Sequence, residues 1–346
     1  DVENYTQVLQ SLVRQHALTD SGSAYDPYDR YVVPSTVLAL FQNAQPVQQV
    51  QAGDEVEVLL GDTSFYIESG GQVSDTGKIT SDPAGAWEIE VSEVRKPAAG
   101  VIVHVGHVVF GLPTVGDKAA ARVDVQRRKA TMRNHTATHL LHAELRKVLS
   151  DQVRQAGSLV APDRLRFDFN YPSAISREQL LRIERGVNEA ILGEYDLNIT
   201  VKPLEKAINE GAMALFGEKY GQEVRTIKIG GEEAISYELC GGTHVHNTSE
   251  IGLFLITGES SVAAGIRRIE AVTGQAAYAY ARERMNLLQE AAQSVGASPA
   301  ELPARLNALQ AELEKSEKRI EQLSAQIAQE AFNRQLDQVQ LISGVP

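Results

Sequence analysis

The feature that most constrains the fold is a change of hydrophobic pattern near Val125. Before this point, apolar residues occur in short runs separated by Gly and Asp-Pro turns, as at 56–60, 87–91 and 101–105. After it, helical patterns alternate with strand-like runs. Short runs between turns are typical of a small antiparallel barrel or sandwich, whereas the mixed pattern indicates α+β structure.

The second part predicts three helices and four strands. The predicted helices are 128–149, 176–192 and 205–216. The predicted strands are 165–169, 199–201, 223–229 and 253–257.

A third pattern, of heptads, occupies the end of the chain. Apolar residues at coiled-coil spacing recur over three heptads with charged residues between them, which indicates a coiled coil or a long helical hairpin. It starts near Ala276 and is interrupted around 296–303. A single surface helix packed on its own domain is the alternative. The heptad residues are Leu306, Leu309, Leu313, Ile320, Leu323 and Ile327.

These patterns predict an α+β fold in four segments. A small antiparallel β-barrel is followed by an α+β core and then by a C-terminal helical hairpin or coiled coil. The segments are a lead-in at 1–45, the barrel with a glycine-rich motif at 46–125, the core at 126–275 and the helical segment at 276–346. Because the chain opens on Asp1 and ends in an uncovered apolar stretch at 341–346, we expect a piece of a longer protein with a further C-terminal domain.

Composition excludes several classes of protein. With 43% hydrophobic and 23% charged residues among 346, the chain is neither disordered nor collagen-like. No apolar run reaches the ~18–20 residues of a membrane helix, so we expect no membrane contact. The single cysteine, Cys240, excludes an internal disulfide and fits a reducing compartment, so we expect a cytoplasmic protein.

The charge distribution leaves room for nucleic acid. A net charge of −12 disfavours phosphate contacts overall. However, residues 118–154 contain nine basic and three acidic side chains, and a second basic pair stands at Arg267 and Arg268. Any nucleic-acid contact must therefore be local, and an ordinary solvated face is the alternative for the basic run.

Two separated motifs combine the donors that bind metals. His135 and His139 share one stripe of a predicted helix with Thr138 and His142. A second motif has the lone cysteine four residues before His244. Thiolate and imidazole are the donors that tetrahedral zinc prefers, so the two motifs together favour a zinc site over structural histidines and a buried core thiol.

The motifs make the chain recognisable. His135-Thr-Ala-Thr-His139 with Cys240-Gly-Gly-Thr-His244 resembles the editing domain of alanyl-tRNA synthetases and their free-standing relatives. Four further segments resemble that family in the right order: 65–72 its glycine-rich barrel motif, 155–160 and 166–169 its strands, and 265–274 the end of its editing core. The editing domain of threonyl-tRNA synthetase shares the histidine and cysteine spacing, but the barrel motif and heptads favour the alanyl type.

The resemblance implies hydrolysis of tRNA(Ala) charged with serine or glycine. It implies one zinc ion in the core, and Thr138 and Gln155 as catalytic residues of the amino-acid pocket. Three or four protein donors can bind the ion, which either activates water or positions the substrate; the sequence leaves both questions open. The zinc positions of the family match His135, His139, Cys240 and His244.

Two further histidines lie close in sequence to the metal-binding motifs. We take His142 as a neighbour of the metal ligands or a surface residue and His246 as a strand surface residue.

Gln72 completes a Gly-Gly-Gln tripeptide reminiscent of peptide release factors, which is too short to carry an argument. The two glycines before it either allow a close approach to the core or tRNA, or form a plain tight turn. The candidate tRNA contacts are Gly70, Gly71, Arg128, Lys129, Arg133, Arg267 and Arg268.

The chain lacks the adenylation motifs of class II synthetases and a phosphate-binding loop. We therefore expect ATP to be used only by a portion of the parent enzyme outside this sequence, which would ligate alanine to tRNA(Ala). The coiled coil and missing domain would allow a homodimer. Two alternatives stay open: a free-standing trans-editing deacylase, and a non-catalytic, zinc-stabilised tRNA-binding scaffold.

Overall fold

The fold is described from a computed structural model, which covers residues 2–214, 220–231 and 233–337. The chain divides into two units, Asp1–Tyr278 and Ala279–Pro346. The helices are α1 (Val2–Arg14), α2 (Val125–Val148), α3 (Arg177–Leu192), α4 (Leu204–Asn209), α5 (Gly274–Ser294) and α6 (Leu302–Leu336), with a 3₁₀ turn at Thr248–Ile251.

All of the described strands lie in the first unit. They are β1 (Ala24–Tyr25), β2 (Val32–Gln42), β3 (Gln45–Val47), β4 (Glu55–Leu60), β5 (Asp62–Thr63), β6 (Gly77–Ser81), β7 (Glu88–Ala98), β8 (Val101–Phe110), β9 (Lys118–Val123), β10 (Gln155–Val160), β11 (Leu165–Asn170), β12 (Leu197–Pro203), β13 (Glu223–Gly230), β14 (Ala234–Leu239), β15 (Phe254–Ala263) and β16 (Ile266–Thr273).

The predicted β-barrel is present and closes through strand β2. The strand order is β2-β4-β8-β7-β6-β9, and β9 pairs back onto β2. The first half of β2 pairs with β9 from Val32 to Thr36, and the second half pairs with β4 from Val37 to Phe41. One long strand therefore serves both edges, which leaves the barrel without a free edge between them.

The barrel starts earlier in the chain than the sequence pattern indicates. Strand β2 lies in the segment 1–45, which we expected to be a lead-in because its residues are mixed polar and aromatic. Pro34 within β2 also weakens the strand pattern, because strand interiors normally exclude proline. Helix α1 also belongs to this segment, and its Tyr5 and Leu12 pack with Phe41 against the barrel.

The α+β core is built around α2. This helix packs against the four-stranded sheet β10-β11-β16-β15, against β14 and against α3. Asp124 caps its first turn by accepting a hydrogen bond from the Arg127 backbone N–H. The apolar face carries Leu141 and Leu145 into the core, and the histidine face is buried as well. The helix is therefore internal, rather than half exposed.

Helix α4 is shorter than the predicted helix at 205–216. It ends at Asn209, and Gly211 follows at φ 90°, the left-handed conformation that commonly terminates a helix. Residues 210–214 are not helical, and residues 215–216 lie outside the described part of the chain.

The C-terminal segment is helical, with an interruption where the sequence predicts it. Helix α5 ends at Ser294 and α6 begins at Leu302. No described residue of α6 is buried, and heptad residues such as Leu313 and Ile320 are exposed. How the coil pairs stays a prediction, and the apolar end at 341–346 lies outside the described residues. Among those described, no helix combines the length and hydropathy needed to cross a membrane.

Candidate metal centre

Four donor side chains from two distant parts of the sequence meet in the core. His135 and His139 lie one turn apart on α2, and Cys240 and His244 stand in the loop after β14. One ligand atom from each lies within 4.8 Å of the others. The Cys240 Sγ atom is 3.4 Å from His135 Nε2 and 3.3 Å from His244 Nε2. The predicted convergence of the two motifs is therefore present.

This donor set fits zinc. Zinc bonds of about 2.3 Å to sulfur and 2.0–2.1 Å to nitrogen place a tetrahedral sulfur–nitrogen pair about 3.5–3.6 Å apart. The two sulfur–nitrogen distances of 3.4 Å and 3.3 Å lie close to that value. The three histidines are buried and Cys240 is partly buried, as expected of donors held around one ion.

Two histidines are oriented by partners outside the donor set. The Thr136 hydroxyl lies 3.1 Å from His244 Nδ1, and Glu238 Oε2 lies 3.0 Å from His139 Nδ1, an ion-pair distance without the alignment of a hydrogen bond. Since each Nδ1 faces such a partner, Nε2 is left for a metal. The loop itself is held by Arg225, which donates to the carbonyls of Cys240 and Gly242.

The electrostatics favour a thiolate. Burial alone would raise the pKa of Cys240, but the neighbouring imidazoles, His135 foremost, outweigh burial and hold the pKa well below the usual value. Burial lowers the pKa of His244 to about 3, so this imidazole is neutral at pH 7. A thiolate and a neutral imidazole are the forms in which Cys and His bind metals.

His139 and Glu238 form a buried charged pair when no metal is bound. Burial by itself lowers the pKa of His139, but the Glu238 carboxylate and the Cys240 thiol together raise it to about 10. Burial would raise the pKa of Glu238, yet His139 holds it well below its usual range. Glu238 therefore remains a carboxylate beside the donor set.

A small cavity of about 70 Å³ adjoins the donors. Thr138 and Gln155 both line it, together with His135, His139 and Cys240. The Thr138 hydroxyl donates to the Asn134 carbonyl at 2.8 Å, the helix back-bonding that serine and threonine often form. Its oxygen keeps a lone pair for a group in the cavity.

The two remaining histidines of the motifs differ from each other. His142 is buried and its Nδ1 lies 3.1 Å from Glu238 Oε1, so it is a neighbour of the metal ligands and not a surface residue. His246 is exposed, but it stands in a bend rather than on a strand.

The candidate tRNA contacts separate into buried and exposed residues. Arg128 was predicted wrongly: it is fully buried and binds Asp75 and the carbonyls of Pro27 and Ser64. A spacing-based charge count cannot detect this, because it does not show which basic side chain of a helix faces inward.

The other basic candidates keep some exposure. Arg267 and Arg268 pair with Glu259 and Asp168, which neutralise them in part. Lys129 is exposed, and Arg133 donates through Nε to the Glu250 carbonyl.

The two glycine candidates lie near the cavity. Gly70 is exposed and lines it. Gly71 lies against Ser158 of β10, so the close approach to the core is present.

Sequence reasoning missed three residues around the donors. Glu238 stands two residues before Cys240 at the end of β14, a spacing that puts both on one side of a strand and is the signal that could have found it. Thr136 and Gln72 carry no such signal. Gln72 accepts a 2.7 Å hydrogen bond from His135, although it lies 63 residues away in the barrel.

Comparison with known proteins agrees with the motifs. A family model described as "Threonyl and Alanyl tRNA synthetase second additional domain" matches residues 224–270, which include Cys240 and His244. A second model, "tRNA synthetases class II (A)", matches residues 3–127, which include all six strands of the barrel.

Curated relatives match nearly the whole chain. The alanine–tRNA ligase of Geobacillus thermodenitrificans is 48% identical over 324 residues, which cover 94% of this chain and 36% of that protein. The alanine–tRNA ligases of Pelotomaculum thermopropionicum and Thermus thermophilus are 46% and 45% identical, over 92% and 94% of this chain and 36% of each relative. The chain therefore spans little more than a third of these relatives.

Proposed function

The chain belongs to the alanine–tRNA ligase family, and from this premise we propose that it is the part that hydrolyses wrongly charged tRNA(Ala). The proposed substrates are Ser-tRNA(Ala) and Gly-tRNA(Ala), cleaved at the ester between amino acid and ribose. The observation that carries the proposal is the convergence of four metal donors beside a cavity lined by Thr138 and Gln155.

Physical chemistry explains why such a second site is needed. A pocket that binds alanine cannot strongly reject a side chain that adds a hydroxyl or lacks a methyl, because each difference is worth only about 1–3 kcal/mol. A hydrolytic site with polar groups for the serine hydroxyl can discriminate further. Alanine would leave those buried groups without partners, at a cost of about 1–3 kcal/mol.

Two residues of the cavity suit this selection. The Thr138 oxygen has committed its proton to Asn134, so it would accept a hydrogen bond from a serine hydroxyl. Gln155 forms no side-chain hydrogen bond within the described part of the chain, so its amide is available to hold that hydroxyl or the attacking water. These polar groups do not select glycine, which lacks the hydroxyl as alanine does, and its release is proposed from the family alone.

The hydrolysis itself is a simple acyl transfer to water. The water oxygen bonds to the ester carbon, the carbon–oxygen bond to ribose breaks, and the ribose oxygen takes a proton. Zinc, held by His135, His139, Cys240 and His244, would supply Lewis-acid charge at this site when bound. Glu238 and Thr136 keep the ligand imidazoles turned toward that position.

We assign alanine ligation and its use of ATP to parts of the parent enzyme outside this sequence. The chain would then act on tRNA(Ala) after charging, with exposed Gly70 as a contact at the cavity, exposed Lys129 as a contact near the start of α2, and Arg133, Gly71, Arg267 and Arg268 in supporting positions. A homodimer through the heptad face of α6 belongs to the same proposal.

A deacylation assay tests the function. We expect the zinc-loaded chain to release serine and glycine from tRNA(Ala) faster than alanine, and His139→Ala to fall to the rate without enzyme. His246→Ala is the matched control, because it removes an exposed histidine outside the donor set, and it should keep the wild-type rate. Equal serine release by wild type, His139→Ala and buffer would instead favour the non-catalytic scaffold.

A further inference from the structure

One barrel residue reaches into the metal centre. Gln72 lies between β5 and β6 and is fully buried. Its Oε1 accepts hydrogen bonds from His135 Nδ1 at 2.7 Å and from the Thr243 backbone N–H at 2.9 Å. Its Nε2 donates to Thr243 Oγ1 at 2.8 Å. A single amide thus contacts both halves of the donor set.

The turn that carries Gln72 is fastened to the core. Gly71 has φ 85°, and a Cβ there would lie 2.6 Å from the Ser158 carbonyl oxygen, so only glycine allows this approach. The Val160 N–H donates to the Gly71 carbonyl at 2.7 Å, and the Val73 N–H donates back to the Val160 carbonyl at 3.1 Å. The position of the Gln72 amide is therefore set by backbone bonds on both sides.

The loop between Cys240 and His244 also lies very close to Gln72 and His135. A Cβ at Gly242 would lie 1.9 Å from His135 Cε1 and 2.8 Å from Gln72 Oε1. The loop between Cys240 and His244 therefore packs directly on the bond between Gln72 and His135. Little room remains for His135 to turn to another rotamer.

We propose that Gln72 is a positioning residue of the metal centre, through which the barrel sets the orientation of His135 and of the Cys240–His244 loop. An amide oxygen only accepts hydrogen bonds, so His135 must carry its proton on Nδ1 and present the Nε2 lone pair, 3.4 Å from Cys240 Sγ. The inference rests on the metal site of the proposed function and not on the hydrolysis. It assigns the Gly-Gly-Gln tripeptide a role in metal binding.

Two substitutions separate this role from simple space filling. Gln72→Met keeps the length of the side chain but removes the acceptor and the donor. Gln72→Glu keeps an acceptor for His135 and Thr243, and the Thr243 hydroxyl can rotate to donate. Arg127→Met is the control, because it removes a barrel–α2 hydrogen bond, Arg127 to the Ser74 carbonyl, without contact with the donors.

The measurement is zinc affinity by chelator competition, together with the visible absorption of the Co²⁺-substituted protein. We expect Gln72→Met to bind zinc about 10–100-fold more weakly, the usual effect of losing a partner of a ligand, and to change the Co²⁺ spectrum. Gln72→Glu and Arg127→Met should bind zinc as tightly as wild type and keep its spectrum.

Either of two results overturns the inference: Gln72→Met with wild-type affinity and spectrum, or Arg127→Met with an equal loss. If circular dichroism shows that Gln72→Met does not fold, Gln72→Glu decides, since a folded Glu variant with tenfold weaker binding contradicts the proposal and one with retained affinity supports it. A wild-type protein that binds zinc but does not deacylate tRNA would refute the proposed function and leave this inference standing.

Discussion

The side chains that matter most at the metal centre act in pairs. His135 faces Gln72, His139 faces Glu238 and His244 faces Thr136, so each imidazole has one nitrogen held and one directed toward the donors. Cys240 is the only cysteine of the sequence. If its thiolate is lost, no other thiolate can therefore take its place as a donor.

Replacing Cys240 should remove metal and activity together. We expect Cys240→Ala, expressed and purified with zinc, to contain much less than one ion per chain and to release serine at or near the background rate, because the variant loses one of four donors and the only thiolate among them. Elemental analysis of the purified protein measures the zinc. Full zinc occupancy in this variant would exclude Cys240 from the ligand set, and His246→Ala is again the control.

His104 makes the barrel sensitive to acid. It is buried between the Val58 carbonyl and the Thr63 hydroxyl, and burial lowers its pKa to about 4. The unfolded chain takes up a proton near pH 6.5 and the folded chain only near pH 4, so stability is lost as the pH falls through this window. The loss from this group reaches about 3 kcal/mol below pH 4.

The single tryptophan, Trp87, reports on the barrel and allows a direct measurement. Urea unfolding followed by its fluorescence should give a free energy that falls between pH 6.5 and pH 4. His104→Gln should flatten this dependence, while the partly exposed His107→Gln should retain it. An identical pH dependence for wild type and His104→Gln would show that His104 is not the responsible group.

At the scale of elements, α2 is the member on which the site depends. It is buried on both faces. It carries the donors His135 and His139 and, between them, the cavity residue Thr138. Helical periodicity predicted the shared stripe of His135, Thr138 and His139, because that stripe follows from about 3.6 residues per turn. It did not predict burial of the stripe, which arises from contact with the barrel turn and the Cys240 loop.

The start of α2 gives a test of this element. Asp124→Ala removes the acceptor for the Arg127 N–H and should cost about 1 kcal/mol of stability. Asp124→Asn keeps a cap and should differ little from wild type. Thermal unfolding by circular dichroism compares the two, and an equal effect of both substitutions would mean that the charge of Asp124, rather than its hydrogen bond, stabilises the helix.

At the scale of the whole molecule, the chain is acidic but has a locally basic region. The burial of Arg128 and the pairing of Arg267 and Arg268 reduce that region below what the sequence suggested. The exposed Lys129 near the start of α2 is the clearest remaining candidate for a phosphate contact.

Affinity for charged tRNA should therefore fall with salt, but with a shallow slope. Lys129→Ala should reduce the slope of log affinity against log salt by about one, whereas Lys78→Ala, which removes a lysine already paired with Glu88, should change it less. Filter binding over a range of salt concentrations measures both. The preference for serine over alanine should not depend on salt, and an affinity independent of salt would contradict a phosphate-binding surface.

Local patterns were enough to recognise most of the described helices, seven of the sixteen described strands, the break between α5 and α6, and the four donors. Each of these depends on residue type and spacing along a short stretch of chain. The closure of the barrel through β2, the inward side of Arg128 and the contact of Gln72 with His135 depend on which surfaces pack together. The contacts of His135 with Gln72 and Cys240 join residues 63 and 105 positions apart, and such packing is decided by the folded chain as a whole, because no local spacing encodes it.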